Sequence, residues 1–527
     1  MISGHTAAAV RAAETPLLAA GEPLMLRAAR ALADHVTARL HTAVDHGPSA
    51  PHAPQVLVLA GAGANGGDGL HAAAMLRAGG IHADALATAD RLHEEGAAAL
   101  REAGGRILLL ADTAPGTLED ELVQTTLVLD AILGIGGRPE VPTALAPLLA
   151  AVRASGVPVI AVDLPSFVDA TTGQAAPEAL HATETITFGA IKAGLLLPSG
   201  AERSGTVHLV DLGLGPHLPA APAVLRLEDA DARCLYPQPG RDASKYTRGV
   251  VALAAGSEQY PGAAVLAASG AARAGAGMVR CLAPQTVLDL VLRERPEVVG
   301  HRVERALGGP DAVDLAAVGR TDALVVGPGL APGDPRAIAG VNCLRQRDAV
   351  GDGPRAGAEV SAAGGTITRG VIDAGALGVL TPEHRFGADV VLTPHQGEAE
   401  RLARRLGLDP GLPGAMLAPA LAHATGATVL LKGAITLIAP GDSGPLRAQD
   451  DATPQLATAG TGDVLAGVLG TLLAAGLTSP DAAALAAILH GRAGRLASHD
   501  GLHPLVALEV ATHLPAAIGT ILAGAQP

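Results

Sequence analysis

The sequence predicts an α/β protein with largely parallel sheets, divided into two domains. Val- and Leu-rich strand patterns alternate with Ala- and Leu-rich helical patterns, and glycine-rich turns join them. This alternation is typical of parallel α/β sheets. The pattern stops and restarts once, across residues 213–242, which are rich in Pro and charge. With 527 residues the chain is also long for a single core.

The predicted elements follow in order. A helical segment runs from about Ala7 to His46, and strands follow at 55–61, 125–132, 157–166 and 184–192, with a helix from residue 70 after the first strand. The second half restarts with a strand at 248–257, a helix at 262–277 and a strand at 278–284. Further strand-containing segments lie at 322–330, 366–377, 388–402 and 428–439. We therefore place domains at 1–220 and 241–527, a linker at 221–240, and a low-complexity insertion without chemistry near 350–365.

The composition excludes several classes of function. The formal net charge is -14 and only 1% of residues are aromatic, which argues against binding to nucleic acid or to an anionic membrane. The three cysteines form no CxxC pair, so we expect reduced thiols in a cytoplasmic protein, without a zinc site. We expect no signal peptide and no membrane span.

A glycine-rich stretch, GAGANGGDG (61–69), lies between the first strand and its helix. Gly61, Gly63 and Gly66 match GxGxxG, and Asp84 follows at a distance that suits a dinucleotide fold. One alternative is a tight turn with Asp68 as the helix N-cap, and the stretch alone leaves both open.

Polar side chains also mark the ends of two later strands. Asp130 ends one strand, and Asp163 ends the next with Ser166 just beyond it. Because parallel strands present their carboxyl ends at one edge of the sheet, these side chains and Asn65 should form a polar cluster facing a ligand. Lys192 could balance the negative charge of this cluster. The alternative is a lysine side chain that is exposed to solvent.

These motifs, with DAILG…P, DLPS and TFGAIKAGLLLPSG, resemble the Rossmann-like αβα sandwich of the NAD(P)HX epimerases over roughly Ala7 to Gly215. The resemblance implies potassium ligands at Asn65, Asp130 and Ser166, and Asp163 as a substrate contact and our candidate for proton transfer. It implies that further substrate contacts come from two segments, Ala64, Asn65, Gly66, Gly67 and Asp68, and Gly134, Ile135, Gly136, Gly137, Arg138, Pro139 and Glu140. Ala64 and Phe167 depart from the family pattern.

In the second half, ATAGTGDVLAGVLG (457–470) places an aspartate at the start of an apolar helix. Thr461 could cap that helix, and the N–H groups of 460–463 could form an anion hole beside the Asp463 carboxylate. This pairing suits phosphoryl transfer, with the carboxylate accepting the proton of the attacking hydroxyl. A plain helix residue is the alternative for Asp463.

From Arg241 to about Leu514, the elements VVGPGL, VIDAGAL, VLTPHQGEAERL, LLKGAITLI and GTGDVLAG resemble the ribokinase-like NAD(P)HX dehydratases. The resemblance implies that Asp463 is the base, and that Ala263, Gly329 and His395 bind the hydrate. It implies a nucleotide site at Lys432, Gly433, Ala434, Ile435, Thr436 and Gly462. Glu398 would act through magnesium or water, or cap a helix. The alternative for His395 is that it only completes the hydrogen bonds of its loop. Tyr260 and Asp373 are expected to be structural.

The two resemblances together imply a bifunctional enzyme that epimerises NADHX and NADPHX and dehydrates the S form, with ADP rather than ATP as the expected phosphate donor. Phosphorylating the C6 hydroxyl makes a good leaving group, and elimination restores NAD(P)H. We expect a homo-oligomer. Two alternatives remain at this stage: a non-catalytic nucleotide-binding first domain, or a Rossmann oxidoreductase fused to a small-molecule kinase.

Overall fold

The computed structural model describes residues 1–44, 54–303, 315, 318–345 and 367–524. It divides the chain into two compact units, one covering residues 2–224 and the other beginning at residue 225. The predicted insertion at 350–365 lies outside the described residues. No helix in the described ranges is both long enough and apolar enough to cross a bilayer.

The first unit contains a parallel sheet of seven strands in the order β4-β3-β2-β5-β6-β7-β8. Its strands are β1 (Ile2–Gly4), which lies outside this sheet, and β2 (Gln55–Ala60), β3 (His82–Ala87), β4 (Ile107–Leu109), β5 (Leu127–Ala131), β6 (Val159–Val162), β7 (Glu184–Phe188) and β8 (Thr206–Val210). Its helices are α1 (Ala7–Ala19), α2 (Leu24–Val44), α3 (Ala64–Ala78), α4 (Glu94–Glu102), α5 (Pro115–Gln124), α6 (Ala146–Ser155) and α7 (Pro198–Ser204).

Helices cover both faces of this sheet. Successive residues of a strand point to opposite faces, so Val58 of β2 packs with α2 and α3 while Leu57 packs with α5 and α6. Both faces of β2 are therefore apolar, as expected for a strand inside a three-layer sandwich. The predicted αβα architecture is confirmed.

The second unit has a mixed sheet in the order β9-β18-β17-β16-β15-β14-β13-β10-β11-β12. The strands are β9 (Val224–Arg226), β10 (Val250–Ala254), β11 (Met278–Ala283), β12 (Val299–Arg302), β13 (Ala323–Val326), β14 (Gly370–Ile372), β15 (Val390–Leu392), β16 (Thr428–Leu431), β17 (Thr436–Ala439) and β18 (Leu446–Gln449). The pairs from β12 across to β16 are parallel, and β16, β17 and β18 pair antiparallel.

Ten helices accompany this sheet. They are α8 (Asp229–Leu235), α9 (Gly262–Arg273), α10 (Gln285–Glu294), α11 (Pro335–Leu344), α12 (Ala374–Leu377), α13 (Gln396–Leu406), α14 (Gly414–Thr425), α15 (Thr461–Ala474), α16 (Ser479–Ala497) and α17 (Ala507–Ala523) in the described residues. Most of α15 is buried, and its apolar residues share one core with α9, α16 and α17. A helix that is apolar all round is expected in such a central position.

The structure corrects two predicted boundaries. Residues 221–240 contain β9 and α8, so the stretch predicted as a linker is largely ordered structure; its Leu227 and Ala232 are buried in the core of the second unit. The helix predicted from residue 70 begins at Ala64, because residues 65–69 form its first turns rather than a loop.

The central contact between α9 and α15 requires a glycine. A Cβ built on Gly467 of α15 would lie 2.1 Å from the carbonyl oxygen of Ala267 in α9, a backbone atom that cannot move independently. The absence of a side chain at 467 thus sets how closely the two helices approach.

Gly467→Ala should lower the free energy of unfolding by about 1–3 kcal/mol, because overpacking strains the helix pair. Chemical denaturation of the full chain measures this effect. The matched control is Gly519→Ala in α17, where an added Cβ meets nothing within 4 Å. The control should be neutral or stabilising by up to about 1 kcal/mol, because Ala favours helix. Equal destabilisation by both variants would contradict the close-packing account.

Candidate active sites

The first candidate site lies at the carboxyl edge of the parallel sheet in the first unit. Asn65 is the second residue of α3, which follows β2. Asp130 lies near the end of β5, Asp163 directly follows β6, and Lys192 follows β7. The topology therefore brings together the polar strand ends that the sequence singled out.

Asp130 is completely buried and is held by Ser166. The Ser166 hydroxyl donates to Asp130 Oδ1 at 2.5 Å, and the Ser166 backbone N–H donates to Oδ2 at 2.9 Å. Burial raises the pKa of Asp130, and the bonds from Ser166 act against that rise. The backbone N–H of Leu133 donates to the Ser166 hydroxyl oxygen at 2.9 Å, which connects this pair to the loop after β5.

Asn65 faces the same loop. A Cβ on Gly134 would lie 3.0 Å from Asn65 Oδ1, so the amide and the loop are in contact. Within the described residues, neither Oδ1 nor Nδ2 of this buried amide has a hydrogen-bond partner. A buried polar group costs free energy unless hydrogen-bond partners or a ligand satisfy it, so this amide is a candidate ligand.

Helix α1 supports the loop at 134–140. The Arg11 guanidinium donates to the carbonyl oxygen of Ile135 at 3.1 Å. Within this loop Gly137 is buried, while Gly136, Arg138 and Glu140 are exposed, as is Ala64 on α3. The exposed residues therefore form the rim of the site.

Lys192 is buried rather than solvated, which settles the alternative left open above. Its side chain is 2% exposed, and its ammonium group forms an ion pair with Asp163. The ammonium also donates to Thr187 Oγ1 at 3.1 Å and to the carbonyl oxygen of Phe188 at 2.8 Å. Asp163 has a backbone φ of 66°, a conformation that is uncommon for residues other than glycine and is frequent at functional sites.

Two further carboxyl groups surround this ion pair. Burial, followed by repulsion from Asp163, raises the pKa of Asp68 well above its ordinary value, although Lys192 lowers it. Burial also raises the pKa of Glu14 on α1. Glu14 was missed because nothing in the α1 sequence shows that it faces the site. Asp68 is not the helix N-cap: that position is Gly63, and Asp68 lies within α3.

Asp84 has no access to a ribose. It is 3% exposed, lies in the middle of β3, and is paired with Arg77 at 2.5 Å and Arg106 at 2.6 Å. Burial raises its pKa, but the bonds from Arg106 and Arg77 outweigh burial and lower it overall. Its role is structural, so the dinucleotide fingerprint is incomplete.

Phe167, which occupies a position where the resembling family has glycine, is buried in the core and has φ of 66°. The backbone thus keeps the left-handed conformation that glycine favours. The aromatic side chain packs in the cluster formed with α5 and α6, so it points away from the polar site.

The second candidate site is built around the start of α15 in the second unit. The helix N-cap is Gly460, whose φ of 90° requires a residue tolerant of the left-handed region. Thr461 does not cap the helix as predicted, because it is the first helical residue and its hydroxyl donates back to the carbonyl oxygens of Leu456 and Thr458 at 2.9 and 3.1 Å. These bonds fix the loop that leads into the helix.

The predicted anion hole has fewer free backbone N–H groups than the stretch 460–463 was expected to supply. The Asp463 N–H bonds to the carbonyl oxygen of Gly460 at 3.1 Å, which leaves the N–H groups at 460–462 to face a ligand. His490 on α16, which no sequence pattern singles out, forms a hydrogen bond through Nε2 with the carbonyl oxygen of Thr461 at 2.9 Å. Burial lowers the pKa of His490 to about 4, so it is neutral and positions the turn.

Asp463 shares its surroundings with one ammonium group and two other carboxylates. Lys432 Nζ lies 2.9 Å from Asp373 Oδ1 and 3.8 Å from Glu398 Oε2. Burial, then repulsion from Asp373 and Glu398, raises the pKa of Asp463 to about 7, although Lys432 lowers it. Burial lowers the pKa of Lys432, but attraction to Asp373 and Glu398 outweighs burial and raises it.

Asp373 therefore belongs to the site instead of being a purely structural residue. It is 2% exposed, accepts a hydrogen bond from Thr393 at 2.8 Å, and is the direct partner of Lys432. Lys432 reaches the helix start, since a Cβ on Gly462 would lie 3.4 Å from its Nζ.

His395 is the N-cap of α13, and Glu398 completes the capping box. His395 Nδ1 accepts from the N–H groups of Gly397 and Glu398, and Glu398 Oε2 accepts from the His395 N–H at 2.9 Å. The capping role considered for Glu398 is thus present. The His395 side chain is 54% exposed, and its backbone pairs with Lys432, so its ring lies at the rim of the site.

Ala263 and Gly329 lie together beside the same helix start. A Cβ on Gly329 would be 2.6 Å from the Ala263 Cβ, and Leu266 of α9 contacts Gly460. Tyr260 is 56% exposed and is not part of the core. In the turn from β16 to β17, Gly433 and Ala434 are exposed while Ile435 and Thr436 are half-buried.

Asp463→Asn should change the pH dependence of stability. A raised carboxyl pKa contributes stability that is present at low pH and is lost as pH rises through about 7. Because Asn does not titrate, the Tm of the variant relative to the wild type should increase between about pH 5.5 and about pH 8.5.

Differential scanning calorimetry at several pH values measures this change. Asp500→Asn, at a side chain that is 79% exposed, is the control and should show little pH dependence. A constant Tm difference for Asp463→Asn across the range would show that its carboxyl group is not perturbed.

Each half of the chain is similar to a known protein family. The family described as NAD(P)H-hydrate dehydratase matches residues 251–515, and the YjeF-related protein N-terminus matches residues 21–194. The bifunctional NAD(P)H-hydrate repair enzyme Nnr of Mycobacterium leprae is 38% identical over 98% of this chain and 99% of its own length. An NAD(P)H-hydrate epimerase of Microbacterium testaceum is 47% identical over 42% of this chain and 84% of its own length.

Among solved structures, an ADP/ATP-dependent NAD(P)H-hydrate dehydratase from Bacillus subtilis is 28% identical, with a TM-score of 0.46, over 56% of this chain and 97% of that chain. The full-length relative and the two family matches agree with each other. They do not fit the alternative of a Rossmann oxidoreductase fused to a small-molecule kinase. The chain belongs to the family of bifunctional NAD(P)H-hydrate repair enzymes.

Proposed function

We propose that the first unit epimerises NADHX and NADPHX and that the second unit dehydrates the S epimer to NAD(P)H, using ADP as phosphate donor. The observation that carries the proposal is the pair of carboxyl groups with raised pKa, Asp68 and Asp463, which lie near the ion pairs Lys192–Asp163 and Lys432–Asp373 at strand-end sites. A perturbed carboxyl group beside a charge partner in a ligand crevice is typical of acid–base chemistry.

In the first unit, Asp68 is the proton donor. Its neutral carboxyl group gives a proton to the C6 hydroxyl; the C–O bond breaks, water leaves, and the ring nitrogen lone pair forms an iminium. Water then adds to either face of C6 and returns the proton to Asp68. The Asp163 carboxylate, held by Lys192 and by the Phe188 N–H at 3.2 Å, contacts the substrate and stabilises the cationic ring.

Asp163 remains a candidate for proton transfer in its own right. Its Oδ1 receives the hydrogen bonds of Lys192, Thr187 and Phe188, and these bonds fix the carboxylate. The substrate contacts proposed at 64–68 and 134–140 comprise buried residues, such as Asn65 and Asp68, and exposed residues at the rim, such as Ala64 and Arg138. Ala64 leaves room there that a larger polar side chain would fill.

The first unit also suits a potassium ion. The unpartnered Asn65 amide oxygen, the buried Asp130 carboxylate and the Ser166 hydroxyl supply oxygen ligands around one loop. When bound, potassium would neutralise Asp130 and complete the contacts of the amide.

In the second unit, Asp463 takes the proton of the C6 hydroxyl as that oxygen attacks the terminal phosphorus of ADP. The bond between that phosphorus and the AMP oxygen breaks, and AMP leaves. The phosphate then leaves C6, the C5–H bond breaks with its proton passing to the departing phosphate, and the C5–C6 double bond of NAD(P)H forms. The N–H groups at the positive end of α15 and the Lys432 ammonium stabilise charge on the transferred phosphate. Nucleotide contacts come from 432–436 and Gly462; hydrate contacts come from Ala263, Gly329 and His395. Magnesium would shield the phosphate charges near Glu398.

Asp463→Asn should abolish nucleotide-dependent dehydration and leave epimerisation intact, because the two sites lie in separate units. Asp68→Asn should slow epimerisation by about 10²–10⁴-fold and leave dehydration of the S epimer unchanged. NADH absorbance follows dehydration, and chromatographic separation of the epimers follows their exchange.

Each variant is the control for the other. Loss of both activities in either single variant would contradict independent sites. Full epimerase activity in Asp68→Asn, with loss in Asp163→Asn, would assign the proton transfer to Asp163. Normal epimer exchange in both variants would reject Asp68 and Asp163 as the catalytic residues, whereas absence of epimer exchange in the wild type would favour a first domain that only binds nucleotides.

Asp130→Asn should remove stabilisation by potassium. Ion binding to the folded state alone raises Tm, so wild-type Tm should be higher in KCl than in choline chloride of equal ionic strength. The increment should vanish in Asp130→Asn and persist in Asp120→Asn, whose carboxylate is exposed on α5. A potassium increment that is equal in the two variants would place the ion elsewhere.

A further inference from the structure

A cluster of two histidines and one glutamate lies in the first unit, away from the proposed epimerase site. His35 is on α2, Glu184 is the first residue of β7, and His208 is on the adjacent strand β8. Asp163 and Lys192 lie at the carboxyl end of these parallel strands, whereas Glu184 starts its strand at the opposite end. The epimerisation chemistry proposed above uses none of the three residues.

The three side chains converge on one point. His35 Nε2 lies 2.7 Å from Glu184 Oε2, and His208 Nε2 lies 3.2 Å from the same oxygen. One ligand atom from each residue lies within 4.8 Å of the other two, and this is the one such group found among the described residues. A tetrahedral metal site with bonds of about 2.0–2.2 Å places neighbouring ligand atoms about 3.3 Å apart, so small side-chain rotations would suffice.

The second oxygen of the carboxylate is already engaged. Arg39, one turn along α2 from His35, forms an ion pair with Glu184 Oε1 at 2.6 Å. This contact orients the carboxylate and leaves Oε2 facing both imidazoles, in the way that outer-shell partners orient metal ligands.

We propose that His35, Glu184 and His208 bind a divalent transition-metal ion of the zinc class. Two imidazoles with one carboxylate favour Zn²⁺, Co²⁺, Ni²⁺ or Cu²⁺ over Mg²⁺ and Ca²⁺, which prefer oxygen ligands. The imidazoles are 28% and 41% exposed, so water can occupy the remaining coordination positions. Binding would link α2 to the β8 edge of the sheet.

The test uses the full chain, freed of metal with a chelator and titrated with Zn²⁺ in a calorimeter. Wild type should bind one Zn²⁺ at this site, and His208→Gln should weaken that binding by at least about 10-fold, as loss even of an outer-shell partner does. His35→Gln should have the same effect. The visible absorption of bound Co²⁺ reports imidazole coordination directly. A general loss of structure would not produce this signal.

The chain contains a matched control pair. His499 and His503 have the same ring geometry as His35 and His208, with centroids 4.7 Å apart and planes at 51°, but they do not form a three-residue metal-ligand group. His503→Gln should leave Zn²⁺ binding unchanged. Equal Zn²⁺ affinity in wild type, His35→Gln and His208→Gln, or equal loss in His503→Gln, would overturn the proposal.

Discussion

Each unit of this protein places one ammonium group among three carboxyl groups. Lys192 pairs with Asp163 near Asp68 and Glu14, and Lys432 pairs with Asp373 near Glu398 and Asp463. One positive charge cannot compensate three negative charges that are buried or half-buried. The carboxyl group least well compensated therefore keeps its proton to an unusually high pH, and that group is Asp68 in one unit and Asp463 in the other.

The two folds create this imbalance by the same means. Parallel strands end at one edge of a sheet, so residues that are distant in sequence are buried side by side there. In the second unit Asp463 also lies at the N-terminus of α15, which is the positive end of the helix dipole. His490 is neutral, so its hydrogen bond stabilises that turn without adding charge. The dense, Ala-rich packing of α9 against α15 keeps these groups in place. The packing of small residues between α9 and α15 thus fixes the start of α15 and the position of Asp463.

Much of this arrangement was predictable from the sequence. Strand periodicity and glycine-rich turns gave the fold class, and polar residues at strand ends gave Asn65, Asp130, Asp163 and Ser166. The start of α3 was misplaced because glycines in a helix that packs closely on a sheet look like a loop in the sequence. Thr461 looked like a cap because capping depends on backbone angles, which Gly460 sets here.

Other features depend on contacts that no local pattern records. The burial of Lys192, the partnership of Asp373 with Lys432 and the positions of Glu14 and His490 all arise from chain segments that meet only in the folded state. The structural role of Asp84 is another example, since Arg77 and Arg106 reach it from α3 and from the residue before β4.

Infrared difference titration of the carboxyl groups, in wild type and in the two single variants Asp68→Asn and Asp463→Asn, tests this account most directly. A protonated carboxyl band should persist in the wild type near neutral pH, and part of it should titrate at about pH 7. That part should be missing from Asp463→Asn, and the protonated carboxyl band should also be weaker in Asp68→Asn, because burial raises the pKa of Asp68. A wild-type protein in which every carboxyl group is ionised by about pH 6 would contradict the claim that each lysine leaves one carboxyl group uncompensated.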